Sequence, residues 1–186
     1  MNKIAIIDID NTLWQFCDAF YLELRKLNAN FPTPDNWTNW DIWEGYCTED
    51  DFYRAVNTIH ANQDSDNYRP YPEAKGFLRA LKQNGYYITI ASHRDPEFKM
   101  PTEQWLKRHG LLYDDLHLSH HKTDLFNAAT SVVVDDAPQV LEKAVEKGAL
   151  ATGLLFPWNR AYRDNGYRLC GNLNEILDGI LSQLTI

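Results

Sequence analysis

The chain has 186 residues, 44% hydrophobic and 24% charged, which is the make-up of a globular protein with one proper core and room for a small inserted subdomain. Its formal net charge of −8 repels nucleic-acid polymers and anionic membranes as partners, and any anionic small substrate needs a local patch of positive charge. Cys17, Cys47 and Cys170 are odd in number, widely spaced and read as idle thiols; with no signal peptide in MNKIAIIDID and no apolar run near the roughly 20 residues of a membrane span, a soluble cytoplasmic protein is expected.

In chain order, KIAIID is a continuously apolar, β-branched strand of the kind covered on both faces in a parallel sheet. Phe16, Phe20, Leu24 and Leu27 then recur at helical spacing. The next stretch, FPTPDNWTNWDIWEGYC, has no clean period, and Thr48 to Asp51 fits a capping box for a short helix ending near Ile59. Residues 14–71 read as an insertion into a core made of 1–13 and 72–186. After it, Pro72 suits a first helical position, Phe77, Leu78 and Leu81 form a stripe, and Gly85 can end that helix. YYITIAS is a strand, Pro101 to His109 a helix closed by Gly110, and LHLS a short strand. SVVVDD is a buried strand ending in acids, Pro138 to Lys147 a helix before Gly148, and TGLLF the last strand. Asn172 or Asn174 caps a final helix running toward Leu184. Strands alternating with helices of this length predict an α/β fold, a doubly wound parallel sheet with helices on both faces.

In such a sheet, ligands bind beyond the carboxyl ends of the strands, where strand order reverses. Those ends carry Asp8 and Asp10, then Ser92, His93 and Arg94, then Asp135 and Asp136, with Lys122 between two strands. Residues two apart in an extended strand point the same way, so Asp8 and Asp10 can approach one ligand. Two carboxylates about 4 Å apart repel by about 4 kcal/mol at an effective dielectric of 20, more than one lysine offsets for a cluster. A divalent cation with oxygen ligands does offset it, and Mg²⁺ characteristically bridges carboxylates and a substrate phosphate. An aspartate can attack phosphorus, a second acid can protonate the leaving oxygen and then activate water, and Ser92, His93 and Lys122 can hold phosphate oxygens.

DIDNT, the Ser92 of ITIASHR, Lys122 and the acid pair of VVVDD, in that order, resemble the signature elements of haloacid dehalogenase superfamily phosphatases over essentially the whole chain. The resemblance implies a Rossmann-like core with a small helical cap inserted after the first strand, and Mg²⁺ as cofactor. It implies Asp8 as nucleophile and metal ligand, and Asp10 as acid/base with its main-chain carbonyl on the metal. Asp135 is then the third ligand, Asp136 a supporting acid, and Ser92 and Lys122 phosphate-binding. The position of the insertion and the segment LLFPWNR are also similar to the 5′(3′)-deoxyribonucleotidase group, which implies a small phosphorylated metabolite as substrate, with a leaning to nucleoside 5′-monophosphates. A sugar phosphate, or transfer to an acceptor other than water, is the alternative. A phospho-accepting regulatory domain shares the residue types but carries its acid pair on the first strand and its lone acceptor later, the reverse of this order.

Other features have plainer readings. Lys99 and Lys107 compete with Lys122 for the ammonium role. His117, His120 and His121 fit no familiar zinc spacing. Trp37, Trp40, Trp43 and Tyr46 are expected mostly to pack the insertion, leaving one or two to touch substrate. Arg160 and Arg163, past the last expected strand, have no assigned position.

Overall fold

The computed structural model describes residues 3–39 and 41–182. Among them, six strands form one sheet: β1 (Lys3–Ile7), β2 (Tyr86–Ser92), β3 (Asp115–Leu118), β4 (Thr130–Val134), β5 (Leu150–Leu154) and β6 (Arg168–Cys170). Their order is β3-β2-β1-β4-β5-β6, and every neighbouring pair is parallel. The α-helices are α1 (Phe16–Leu27), α2 (Glu49–Ala61), α3 (Ala74–Gln83), α4 (Lys99–Arg108), α5 (Pro138–Glu146), α6 (Arg160–Asp164) and α7 (Leu173–Ser182).

Side-chain alternation explains the two faces. Ala5 and Ile7 of β1, with Val132 and Val134 of β4, point into an apolar cluster that also holds Phe77 and Leu81 of α3, Trp105 of α4 and Ile176 of α7. Ile6 and Val133 point the other way, onto Val140, Leu141 and Ala144 of α5. Both faces being covered, residues 5–7 of β1 and 132–134 of β4 are apolar without a break, as buried parallel strands tend to be. This is the doubly wound α/β architecture expected from the sequence.

Between β1 and α3 the chain builds α1, a 3₁₀ turn at Pro34–Asn36, and α2. Thr48 caps α2, accepting from the Asp51 amide at 3.2 Å and donating its hydroxyl to the Asp51 carboxylate at 2.8 Å. Phe16, Phe20, Leu24, Trp37 and Ile59 belong to the same apolar cluster as β1. The segment leaves and returns at one place: Trp14 pairs with Pro70 in an isolated antiparallel bridge, and the Tyr71 amide donates to the Leu13 carbonyl at 2.8 Å.

Several expectations are corrected. TGLLF is not the last strand: β5 starts earlier, at Leu150, and the three residues of β6 follow, too short to show a period of their own. The α3 helix begins two residues beyond Pro72. The α4 helix begins at Lys99, so Pro101 sits inside its first turn, where the amide it lacks has no intrahelical acceptor. Leu27, expected on the buried stripe of α1, is 44% exposed. Asn172 caps α7, its side-chain oxygen accepting from the Glu175 amide at 3.0 Å. Trp40 and Leu184 lie outside the described residues.

Candidate active site

Strand order reverses between β1 and β4, and there Asp8 and Asp135 emerge side by side. The Asp8 amide donates to the Val134 carbonyl at 2.9 Å and the Asp135 amide to the Thr152 carbonyl at 3.0 Å, so the ladder continues one residue past each strand. Gly153 makes the second pairing possible: a Cβ there would stand 1.8 Å from the Asp135 carbonyl oxygen. Asn159, fully buried in the FPWNR segment, donates to the carbonyls of Asp136 (3.0 Å) and Leu154 (2.9 Å), fastening the acid-bearing loop from behind.

Asp8, Asp135 and Asp136 are all buried, and one carboxylate oxygen from each lies within 4.8 Å of the others. Lys122 opens a 3₁₀ turn after β3 and is likewise buried; its Nζ donates to Asp8 Oδ1 at 2.6 Å and reaches Asp135 Oδ2 at 2.7 Å. Burial works against the Lys122 charge, but Asp135 and Asp8 outweigh it and raise the ammonium pKa. Burial, with Asp135 and Asp10 nearby, pushes the Asp8 carboxyl up to about 7 despite Lys122. Burial and the charges of Asp135 and Asp8 also raise Asp136 well above the carboxylate range. The raised pKa values of Asp8 and Asp136 show that one ammonium does not offset three crowded acids, which hold protons where a cation would let them ionise. An all-oxygen donor set with that deficit fits a hard divalent cation such as Mg²⁺.

Asp10 behaves differently from its neighbour. Asn11 adopts a left-handed φ of +56°, which turns the chain immediately after Asp10. The Asp10 carboxylate does not join the acid cluster but accepts from Arg94 Nη2 (2.6 Å) and Nε (3.2 Å), from Trp14 Nε1 (2.9 Å) and from His60 Nε2 of α2 (3.0 Å). Burial favours its neutral form, yet Arg94 and His60 prevail and hold its pKa well below the usual range. The Asp8 carboxylate thus joins the cluster while that of Asp10 turns to Arg94, Trp14 and His60, and both acids line one cavity. Asn11 bridges the two regions, donating to Asp136 Oδ2 at 3.2 Å and accepting from the Cys17 amide at 2.9 Å.

A cavity of about 670 Å³ opens over these groups, and Asp8, Asp10, Ser92, His93, Lys122, Asp135 and Asp136 all line it. Ser92 is buried at the end of β2, whereas His93 is exposed on the rim. The chain between β1 and α3 forms the facing wall with Phe16, Phe20, Trp43, Phe52 and Tyr53. Trp37 is instead a packing residue, edge-on to Phe20 with its indole donating to the Pro32 carbonyl at 3.0 Å, and Tyr46 lies against Phe31. Lys99 reaches Glu103 on its own helix at 3.8 Å, and His120 bonds Asp95 at 2.7 Å. Arg160 lines a separate cavity of about 360 Å³ beside Cys17 and Phe156, and Arg163 lies 3.7 Å from Asp164.

Sequence reasoning placed Arg94 on the rim without a role, and overlooked His60, Gln63, Thr102, Asn11 and Asn159. The partners of Arg94 lie 8, 31 and 84 residues away, so no local pattern announces them. The left-handed Asn11 was the one readable signal, because asparagine tolerates that conformation.

No protein-family model matches the chain. It is similar, at 24% identity over 153 residues covering 74% of this chain and 72% of the relative, to a Chlorobaculum tepidum protein described as "Putative 5'(3')-deoxyribonucleotidase". Among solved structures, a haloacid dehalogenase-like family hydrolase of Streptococcus pneumoniae superposes with TM-score 0.67 at 15% identity, covering 95% of this chain and 97% of that one. A Clostridium acetobutylicum protein titled "predicted phosphatase" gives TM-score 0.70 at 13% identity over 98% and 99% of the two chains. The fold is that of the haloacid dehalogenase-like hydrolases.

Proposed function

We propose that the protein is a Mg²⁺-dependent phosphomonoester hydrolase working through an aspartyl phosphate on Asp8. The observation that carries this reading is the buried Asp8–Lys122–Asp135 arrangement with Asp136 beside it, at the strand-order reversal and open to a cavity. Lys122 engages Oδ1 of Asp8, and no hydrogen bond among the described residues engages Oδ2. That oxygen attacks phosphorus, the bond to the leaving oxygen breaks, and the leaving alcohol takes its proton by way of Asp10, which Arg94 and His60 keep ionised at rest and which must first take that proton up from solvent. Asp10 then takes a proton from water, whose oxygen attacks phosphorus and breaks the bond to Asp8, releasing inorganic phosphate. Asp8 and Asp135, with the main-chain carbonyl of Asp10, would hold the cation, supported by Asp136. The cation when bound supplies positive charge against the phosphate oxygens. Lys122, Ser92 and His93 share in binding the phosphate.

Residues 14–71 act as a cap over a core of 1–13 and 72–186 and choose the substrate. The aromatic wall of Trp43, Phe52 and Tyr53 favours a flat leaving group, which with the nucleotidase-like relative supports nucleoside 5′-monophosphates. Among the described residues no helix is long and apolar enough to cross a membrane, and three free cysteines suit a reducing cytoplasm. The test is phosphate release from deoxynucleotides, sugar phosphates and phosphoglycolate, with Mg²⁺ and with chelator. Asp8→Asn should abolish release; an unchanged rate refutes the mechanism. Deoxynucleotides ranking no better than the other esters refute the nucleotide preference alone.

A further inference from the structure

Arg94 stands two residues past Ser92, and its side chain is wholly buried. Its donors are shared among three parts of the chain. Nη2 and Nε reach the two oxygens of Asp10 at 2.6 and 3.2 Å, Nη1 reaches Thr102 Oγ1 of α4 at 2.9 Å, and Nη2 also reaches Gln63 Oε1, just past α2, at 3.2 Å. Trp14 Nε1 and His60 Nε2 bring the donors on Asp10 to four. A carboxylate offers about four acceptor positions, so this one has a single orientation. Its side chain keeps 19% exposure on the cavity wall. Arg94 makes no bond to Asp8, Asp135 or Asp136, so its contacts concern Asp10 and not the cluster proposed to hold the cation.

On the phosphatase reading above, we propose that Arg94 is a positioning residue whose fork, braced by Thr102 and Gln63, fixes the Asp10 carboxyl at the angle from which the leaving oxygen is served. A guanidinium fork locks a carboxylate in plane, whereas a lysine offers a point charge with no such plane. Misplacement of a reacting group by about 1 Å costs on the order of 10²-fold in rate. Because Gln63 and His60 belong to the inserted segment, that angle also depends on how the segment is seated.

The test separates positioning from general structural support by varying the leaving group. An alkyl phosphate (a nucleoside 5′-monophosphate) needs a proton on departure, whereas p-nitrophenyl phosphate releases a stable phenolate and needs little help. The measured quantity is kcat/KM, which covers the steps up to departure of the leaving group. Arg94→Lys is expected to lower it about tenfold or more on the alkyl ester and less than about threefold on the aryl ester. Thr102→Val, which removes only the brace on Nη1, is expected to act in the same direction by about two- to fivefold on the alkyl ester alone. The rise in melting temperature on adding Mg²⁺ should be the same in wild type and both variants. Equal losses on the two esters, or none on either, overturn the proposal, and Thr102→Val decides if Arg94→Lys does not fold. A wild-type protein that turns over neither of these esters, nor the sugar phosphates and phosphoglycolate of the first assay, refutes the phosphatase reading and this proposal with it.

Discussion

Gly153→Ala places the smallest side chain where the strand pairing leaves no room. The new Cβ would lie 1.8 Å from the carbonyl oxygen of Asp135 and 2.9 Å from its carbonyl carbon, both backbone atoms that cannot swing aside. Relief requires β5 to part from the end of β4 by more than about an ångström, at the expense of the 3.0 Å bond from the Asp135 amide to the Thr152 carbonyl. Overpacking of this kind costs about 1–3 kcal/mol. For a chain of this length each kcal/mol lowers the melting temperature by about 2–4 °C, so a fall of about 2–12 °C is expected. The displacement falls on Asp135 itself, so phosphate release should drop by about 10²-fold, and more Mg²⁺ should be needed for half-maximal thermal stabilisation. Gly148→Ala is the control. Gly148 has a φ of +79° but no neighbouring atom within 4 Å, so the change costs about 1 kcal/mol of backbone strain and leaves the site in place. Thermal unfolding and a phosphate assay on both variants decide the matter. A Gly153→Ala protein that melts within a degree of wild type at full activity refutes the argument.

Lys122→Met removes the one ammonium between two carboxylates that are no more than 5% exposed, and should cost about 3–5 kcal/mol in denaturant unfolding without Mg²⁺, with activity lost; a change under 1 kcal/mol would show that the acids do not depend on it. Trp43→Ala should raise KM for nucleoside monophosphates about tenfold with kcat little changed, if the ring stacks on the leaving group; steady-state kinetics read this directly. Burial and then Arg94 lower the pKa of His60, so the unfolded chain binds a proton that the folded chain resists. Its contribution to stability is complete above about pH 6.5 and is lost as pH falls toward the depressed folded value, a slope that His60→Asn should flatten in unfolding curves taken between pH 7.5 and 5.

The parts of the molecule legible in the sequence are those governed by local rules. Apolar runs such as KIAIID and SVVVDD are strands because both faces of each are covered, and acids at their ends are visible because a core strand gains nothing from them. Lys122 could be picked from its competitors only by order along the chain, yet it is the lysine whose side chain is buried against Asp8. The orientation of Asp10 was not legible, because it depends on Arg94, Trp14 and His60 meeting across 84, 4 and 50 residues. Nor was the role of FPWNR, where one asparagine amide joins two carbonyls that become neighbours only after β5 is laid beside β4.

The bridge of Trp14 to Pro70, with Tyr71 bonded to Leu13, means that the chain between them leaves and returns through one doorway. Leu13 belongs to the apolar core and Tyr71 packs against it, so the two ends of the segment meet on the core itself. Each doubling of a loop's length adds only about 0.6 kcal/mol to the cost of closing it. A segment of different size and lining could thus leave and return there without disturbing the sheet beneath, provided it re-covers the apolar side chains that Phe16, Phe20 and Ile59 now shelter and replaces the bonds that His60 and Gln63 make to Asp10 and Arg94.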